Sequence, residues 1–398
     1  MSRQYSPRAF FRHAPNELLA RYFRDQELLG DLDFGQLQEG NPAPLFEAWL
    51  ELPATRRETM EADFRSIFEM ACEKGVEAII DEATFHLREA CQTFTSWLAS
   101  LNNHYEQAFA TFLDHPRFWN GATRFYHADT LTSYWRKRKN LPQVPAHCDE
   151  SSLTQLAQLI RDYFHRTDGK GQNCVVEPLR RNDLDYFFAY PEDYAQRSIE
   201  WVDNEFKPRP HNPAFEVIFV YSQQAGTLDL HHGGNRKAIE ALQRFFAEAI
   251  LKQLELVPDQ NDERVYDLNP LRDRHFAFSY QPGAGIEDVR VRKVRLSSWH
   301  NLGDRLTLEA DCRRNREAVY DLLDQISRCL ALQAYHVTQV ELVATLNTAP
   351  DKPGKPIPIR ITYPNSCSLK YDETDLVLRR LLEQSGIEPK APPSDTEA

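Results

Sequence analysis

The chain has 398 residues, a formal net charge of -12, 41% hydrophobic residues and 27% charged residues. These values are typical of globular proteins and exclude a wholly disordered chain, and the length predicts two or three domains. The sequence contains no run of about 18 apolar residues, which argues against a membrane-spanning helix, and its first residues lack the apolar segment of a signal peptide.

Residues 1–150 are predicted to form a mainly helical domain. Thr55 and Glu58 have the spacing of a capping box, which marks a helix start. The apolar residues that follow recur with a period of 3.6, so they predict one buried helix face. They are Met60, Phe64, Ile67, Phe68 and Ala71.

Residues 151–387 are predicted to form an α+β domain. Beyond residue 172 the apolar period changes from 3.6 towards 2, which indicates strands. Three strand hairpins, each followed by a helix, predict antiparallel sheets with helices packed on one face, with candidate subdomains at 172–256 and 286–387. The fold class is therefore α+β, a helical N-terminal region followed by sheet domains of hairpin-then-helix units. Residues 388–398 are predicted to be a disordered tail.

The cysteines and the missing motifs limit the chemistry. The seven cysteines have wide, irregular spacings, unlike a disulfide framework or a zinc site, and predict a reduced, cytoplasmic protein. The sequence has no Gly-x-x-x-x-Gly-Lys-Ser/Thr, Gly-x-Gly-x-x-Gly, Gly-x-Ser-x-Gly or His-Glu-x-x-His motif. We therefore predict no cofactor and favour a role without catalysis.

A run of cations stands beside aromatic residues in the most basic part of the chain. Residues 116–181 carry 11 Lys and Arg against 6 Asp and Glu, a local charge of +5. Clustered cations can neutralise phosphates, and adjacent rings can stack on bases. The predicted nucleic-acid or phosphate contacts are Trp135, Arg136, Lys137, Arg138 and Lys139. The alternative is a solvated helix end whose rings pack into the core.

A second basic segment lies in a predicted strand at 289–296. The apolar residues occupy positions 289 and 291, then 294 and 296, so one extra residue between them predicts a β-bulge. With that bulge the cations share the outer side of the strand, where they can bind phosphates or an acidic partner. They are Arg290, Arg292, Lys293 and Arg295. The alternative is a strand edge kept soluble by charge.

The segment 228–237 combines histidines, glycines and a predicted helix start. Backbone N–H groups at a helix N-terminus can hold an anion. The residues predicted to do so are Gly233, Gly234, Asn235 and Arg236. In a second interpretation, Asp229 and His231 lie on one strand face and ligate a metal, although no third ligand is identifiable. An ordinary strand-to-helix turn is the simplest alternative.

These observations together predict a non-enzymatic binding or regulatory protein, an accessory subunit of a nucleic-acid-handling assembly. The expected partners are a nucleic acid or another polyanion and a protein, without a membrane. The alternatives are a metal-dependent hydrolase centred on Asp229 and His231, and a scaffold that binds other proteins through its acidic helical half.

Overall fold

The structure is a computed structural model that describes residues 4–132, 135–202, 205–233, 236–254, 256, 264–301, 303–347 and 354–389. The chain divides into two compact units. The helical unit comprises Met1–Leu131 and Arg180–Asn182, and the sheet unit comprises Thr132–Leu179 and Asp183–Ala398. Helices followed by an antiparallel sheet confirm the predicted α+β class.

The helical unit has a core rich in aromatic rings. Its helices are α1 (Pro7–His13), α2 (Asn16–Asp25), α3 (Ala43–Leu50), α4 (Ala54–Met70), α5 (Glu73–Leu87), α6 (Cys91–Ser100), α7 (His104–Asp114) and α8 (Pro116–Thr130). In α4, the apolar stripe predicted from the sequence is buried. The capping box is not formed, because α4 begins at Ala54 after Pro53 and has no side-chain cap.

The sheet unit contains the remaining elements, except that the last two residues of β2, Arg180 and Arg181, belong to the helical unit. Its strands are β1 (Trp135–Arg138), β2 (Cys174–Arg181), β3 (Leu184–Pro191), β4 (Gln196–Val202), β5 (Glu205–His211), β6 (Val217–Ser222), β7 (Thr227–His231), β8 (Ile286–Ser298), β9 (Arg305–Glu309), β10 (Tyr335–Leu346), β11 (Lys355–Thr362) and β12 (Ser366–Cys367). Its helices are α9 (Glu150–Asp168), α10 (Arg236–Ala249), α11 (Ala318–Ser327) and α12 (Glu373–Gln384).

Ten strands of the described residues form a single sheet, in the order β2-β3-β6-β7-β1-β12-β11-β10-β8-β9. The pairs β3–β6, β6–β7, β8–β9 and β10–β11 are antiparallel, so each half is built from hairpins. One buried apolar cluster packs α9 and α10 against β3, β6 and β7. A second packs α11 and α12 against β8, β10 and β11. The two candidate subdomains therefore have separate cores but share one sheet, which β1 joins in the middle.

The predicted bulge in β8 is present. Lys293 pairs with Glu341 and Val291 pairs with Leu342, so Arg292 is the extra residue. The apolar residues of this segment are buried and its cations are partly exposed, as the sequence pattern predicts. A bulge is the only way to keep both apolar pairs on the core face, because side chains alternate strictly along a regular strand.

Candidate anion-binding site

The cation run lies in the sheet as strand β1 rather than at the end of a helix. Arg136 pairs with Leu230 of β7 on one side and with Ser366 of β12 on the other. Because side chains alternate across a strand, Trp135 and Lys137 are buried on one face, whereas Arg136 and Arg138 are half-buried on the other. The run therefore does not act as one continuous cationic surface.

On the first face, Lys137 belongs to a buried polar cluster. Its Nζ lies 2.7 Å from Glu388 Oε1 and 4.0 Å from Asp229 Oδ2. The Tyr371 hydroxyl donates a hydrogen bond to Asp229, and an Arg379 Nη2 lies 3.9 Å from the same carboxylate. We call Lys137, Asp229, Tyr371, Arg379 and Glu388 the Asp229 cluster. Its two carboxylates and two cations balance, so Lys137 offers no surplus charge to a phosphate.

The Asp229 cluster is held in place by backbone contacts. Arg379 donates from Nε to the Lys370 carbonyl at 2.8 Å and from Nη2 to the Leu369 carbonyl at 2.9 Å. Its guanidinium also lies over the Tyr371 ring, 4.1 Å from the centroid. Burial raises the pKa of Tyr371 well above its usual value, so the hydroxyl stays protonated and keeps its bond to Asp229.

Glu388 differs from the sequence prediction, which placed it at the start of a disordered tail. It is only 4% exposed, and the adjacent Pro389 carbonyl accepts a 2.6 Å hydrogen bond from Lys139. Lys137 of β1 and Lys139, which follows the strand, are thus both engaged by the last described residues. Residues 390–398 lie outside the described part of the chain.

The arrangement does not complete the metal site considered from the sequence. The Asp229 carboxylate already contacts Lys137, Tyr371 and Arg379. The centroid of the His231 ring lies 5.4 Å from that of Trp135. Within the described ranges, no group of three or more His, Cys, Asp and Glu side chains is placed to hold a metal ion. Asp229 and His231 alone supply half of the four ligands that a typical zinc site uses.

On the other face, the structure contains a cavity of about 510 Å³, which we call the α9–α10 cavity. Its lining comes from the end of α9, the segment before β6, the β7–α10 connection and the first turn of α10. The residues that bear on its chemistry are Phe164, Lys170, Phe215, His232, Gly233 and Lys237. The volume is that of a small-molecule site, which typically measures ~300–1,000 Å³.

Cations and rings stand side by side in the α9–α10 cavity. The Lys170 Nζ lies 3.9 Å from the centroid of the Phe215 ring and 3.1 Å from Asp193 Oδ1. Lys237 is exposed, and two carboxylates, Asp168 and Glu216, also belong to the lining. The cavity therefore combines a fixed ammonium group, an exposed one and an aromatic wall, and its two carboxylates balance the two lysines in formal charge.

Arg136 adds to the positive field near this cavity. It lies directly opposite Leu230, whose side chain belongs to the core beneath α9 and α10, so Arg136 points to the same face. The structure thus brings Arg136 from the first basic segment towards Gly233 from the predicted anion site. Gly234 and Asn235 lie outside the described residues, and α10 begins at Arg236.

His232 is the most perturbed group of the α9–α10 cavity. Burial, together with the positive charges of Lys170 and Arg136, lowers its pKa to about 4. The ring bonds to the Glu216 backbone, while Nδ1 is buried and has no hydrogen-bond partner. The neutral ring therefore carries its proton on Nε2 and presents an unused acceptor at Nδ1.

The pH dependence of the free energy of unfolding should reveal the lowered pKa of His232. Because the pKa of His232 is about 4 in the folded chain and about 6.5 unfolded, the unfolded chain binds more protons between those values. Stability should fall as the pH drops from 6.5 towards 4, by about 2 kcal/mol at pH 5. A His232→Gln variant should lack this component in urea unfolding curves. Equal pH dependence in both proteins would contradict the assignment.

The second basic segment is paired across the sheet. Lys293 lies 3.0 Å from Glu309, and Arg292 lies 3.2 Å from Glu309 and 3.1 Å from Glu341. Arg290 binds Asp288 and donates to the Cys312 carbonyl at 2.8 Å. These pairs offset the charges of Arg290, Arg292 and Lys293, whereas Arg295 donates to the Thr338 hydroxyl at 3.3 Å.

The two basic segments are far apart in the sheet. Between β1 and β8 lie β12, β11 and β10, so the two strands are separated by four spacings of ~4.8 Å, or about 19 Å. None of the four cations Arg290, Arg292, Lys293 and Arg295 lines the α9–α10 cavity.

Sequence patterns identified Gly233 as a candidate site residue but not Phe215 or His232. The sequence signal that could have indicated His232 is the pair of histidines directly before the glycines.

No family model, no curated protein and no solved structure matches this chain. In the described part of the chain, no helix has the length and apolar character needed to span a bilayer. The functional argument therefore depends on the geometry of the α9–α10 cavity and on the charges around it.

Proposed function

We propose that this chain is a non-enzymatic binding protein that holds a phosphate-bearing ligand, a nucleotide or the end of a single-stranded nucleic acid, in the α9–α10 cavity. The observation that carries the proposal is the meeting of Lys170, Lys237, His232 and Phe215 around one open space. We further propose that it acts as an accessory subunit of a nucleic-acid-handling assembly, without a metal or a cofactor.

The phosphate position is argued from charge and backbone access. The ammonium group of Lys237 is exposed in the first turn of α10, where the dipole of a helix also favours an anion. Gly233 has no side chain, so a ligand can approach its backbone closely. Arg136 and Lys170 add positive charge behind this position, as their effect on the pKa of His232 indicates.

The base position is argued from the aromatic wall and the unused acceptor. Phe215 is partly exposed in the cavity, and a ring of this kind can stack on any base, which contributes ~1–3 kcal/mol. The His232 Nδ1 atom has no hydrogen-bond partner and is buried, so it can accept from an exocyclic amino group of a base once the ring turns towards the cavity. A ligand with a phosphate and a planar amino-bearing ring therefore satisfies both halves of the cavity.

Binding of a short single-stranded DNA tests the proposal. We expect the parent chain to bind a fluorescently labelled oligonucleotide at low salt, and a Lys237→Gln variant to bind about five- to tenfold more weakly. The slope of log K against log salt should fall by about 0.7, because one phosphate contact is lost. Anisotropy titrations at several salt concentrations measure both quantities.

Lys355→Gln is the matched control, since Lys355 is an exposed lysine of β11 outside the cavity. It should retain the parent affinity and the parent salt slope. If the parent chain binds neither the oligonucleotide nor a mononucleotide at low salt, the proposal fails. Equal weakening by both variants would show that binding is spread over the surface rather than located in the cavity.

A further inference from the structure

Strands β4 and β5 form a two-stranded ribbon that is not part of the ten-stranded sheet. Its ladder runs from Gln196 opposite His211 to Val202 opposite Glu205. Every residue of β5 is exposed. An isolated two-stranded ribbon is only marginally stable in water, because it has no second layer to bury its side chains. This ribbon therefore gains from a surface that covers it.

One face of the ribbon is apolar. Directly opposite residues in an antiparallel pair share a face, and residues two apart along a strand do so as well. The residues of this face are Arg197, Ile199, Trp201, Phe206, Pro208 and Pro210. Trp201 is 75% exposed, Ile199 67% and Phe206 62%. The two rings pack against each other with centroids 5.4 Å apart, but nothing else in the described chain covers them.

The other face is polar and makes its own contacts. The Ser198 hydroxyl lies 3.2 Å from His211 Nδ1 and 3.3 Å from the Arg209 carbonyl. Lys207 forms an ion pair with Glu205 on the same strand. The polar groups of this face bond to each other or can bond to water. The uncovered apolar face is therefore the one expected to bind a partner.

The prolines show how a partner can approach. Proline has no N–H, so Pro208 and Pro210 do not donate to β4, although they lie opposite Ile199 and Arg197. They occupy non-hydrogen-bonded positions, where an N–H group would point to the outer edge of β5. That edge therefore lacks two of the donors that an added strand needs. A partner is expected to cover the apolar face instead of extending the ladder at β5.

The distribution of charge favours a second copy of the same ribbon. Between residues 196 and 211 the sequence has three cations, Arg197, Lys207 and Arg209, and three carboxylates, Glu200, Asp203 and Glu205. A ribbon without net charge does not attract a polyanion. It also adds no electrostatic repulsion between two chains, each of which has a formal net charge of -12.

The charges also differ between the two ends of the ribbon. On the apolar face itself, the charged residue is Arg197, which lies near the base, whereas the rings of Trp201 and Phe206 lie near the tip. A two-fold axis through the centre of the apolar face, near Ile199, places the base of each ribbon beside the tip of the other. Arg197 of each copy then lies beside the Trp201 and Phe206 rings of the other, where an aromatic face attracts a guanidinium group.

We propose that the apolar face of the β4–β5 ribbon is a self-association surface that joins two copies of this chain about a two-fold axis. The contact is small, because an aromatic side chain buries ~150–250 Å² and a stable interface buries about 800 Å² per partner. The dimer is therefore weak and reversible, with a dissociation constant in the micromolar range, rather than obligate.

Sedimentation equilibrium of the full chain over a wide range of concentration tests the proposal. The parent chain should change from monomer to dimer, and a Trp201→Thr/Phe206→Thr variant should raise the dissociation constant at least about tenfold. Threonine keeps the strand propensity of these exposed positions, and circular dichroism checks that the fold is retained. A Lys207→Thr control changes the polar face and should leave the dissociation constant unchanged.

A cysteine placed near the axis locates the contact independently. Under mild oxidation, Ile199→Cys should give a disulfide-linked dimer that the parent chain, with its exposed Cys148 and Cys329, does not form. A parent chain that stays monomeric overturns the proposal, as does a dimer that survives the double threonine variant. Loss of oligonucleotide binding in the double variant, with no change in association, would assign the face to a nucleic acid and also overturn it.

Discussion

An Arg181→Met variant is expected to lose about 3–5 kcal/mol of the free energy of unfolding of the helical unit. Arg181 is 1% exposed, and its Nη1 donates to both oxygens of Asp129, at 2.8 and 3.0 Å. Its Nε donates to Asp81 at 2.6 Å, and its guanidinium lies 5.3 Å from the centroid of the Phe125 ring. Without the guanidinium, the buried Asp129 carboxylate loses its cation and cannot recover the solvation it lost on folding.

Amide hydrogen exchange of α5 and α8, which carry Asp81 and Asp129, measures the effect within the helical unit. Protection of these two helices should fall in Arg181→Met, and urea unfolding should begin at a lower concentration. Arg313→Met is the control, because Arg313 is 87% exposed and pairs with Asp311 on the surface, where such pairs contribute ~0–1 kcal/mol. Adding Asp129→Asn to Arg181→Met should recover part of the loss. Unchanged exchange in α5 and α8 would contradict the prediction.

Local periodicity predicted several of the longer helices and strands of the fold. In α4 the 3.6-residue stripe predicted the buried face, because helix contacts repeat within a few residues of each other. In β8 the spacing of four apolar residues predicted a bulge between Val291 and Val294, and the structure has Arg292 as the extra residue, because only a bulge reconciles that spacing with one buried face. Helix starts were harder to predict from the sequence. Thr55 was the expected cap of α4, but the helix begins at Ala54, directly after Pro53.

Contacts between distant residues were not accessible from the sequence. The four residues of β1 have too little pattern to identify a strand, and they are held by β7 and by β12, more than 90 and 230 residues away. Lys137 meets Glu388 across 251 residues. A run of four cations is ordinarily solvated, and only the three-dimensional fold supplies the carboxylates that let one of these four, Lys137, become buried.

The candidate site was predictable only in part for the same reason. The segment from Asp229 to Gly233 combines the residue types of a binding loop, so the sequence could single it out. Lys170 and Phe215 reach the α9–α10 cavity from other elements, and their mutual contact at 3.9 Å follows from packing alone. The two faces of β1 also have different roles. Arg136 contributes positive charge near the cavity, whereas Lys137 neutralises carboxylates on the opposite face of the sheet.

Because Lys137 neutralises buried carboxylates, a Lys137→Met variant is expected to destabilise the sheet unit by about 3–5 kcal/mol and not merely to weaken nucleic-acid binding. Lys137 is 6% exposed, and it lies between the carboxylates of Glu388 and Asp229. Methionine matches the length of the lysine stem but leaves both carboxylates in a buried site with one cation fewer. The Glu388 Oε2 atom already lacks a hydrogen-bond partner, and the Lys139 ammonium group, 3.9 Å from Oε1, is engaged by the Pro389 carbonyl.

Urea unfolding and amide exchange of β1, β7 and α12 measure this change, and a Lys137→Met/Glu388→Gln double variant should recover part of the stability. Lys355→Met serves as the control, since it removes an exposed cation from β11. Replacement of all four cations from Arg136 to Lys139 would unfold the same region, so its binding defect would not separate contact from stability, whereas Lys237→Gln does. If Lys137→Met keeps the parent stability but loses affinity for single-stranded DNA, then Lys137 contacts phosphate in a rearranged site and its structural assignment here is wrong.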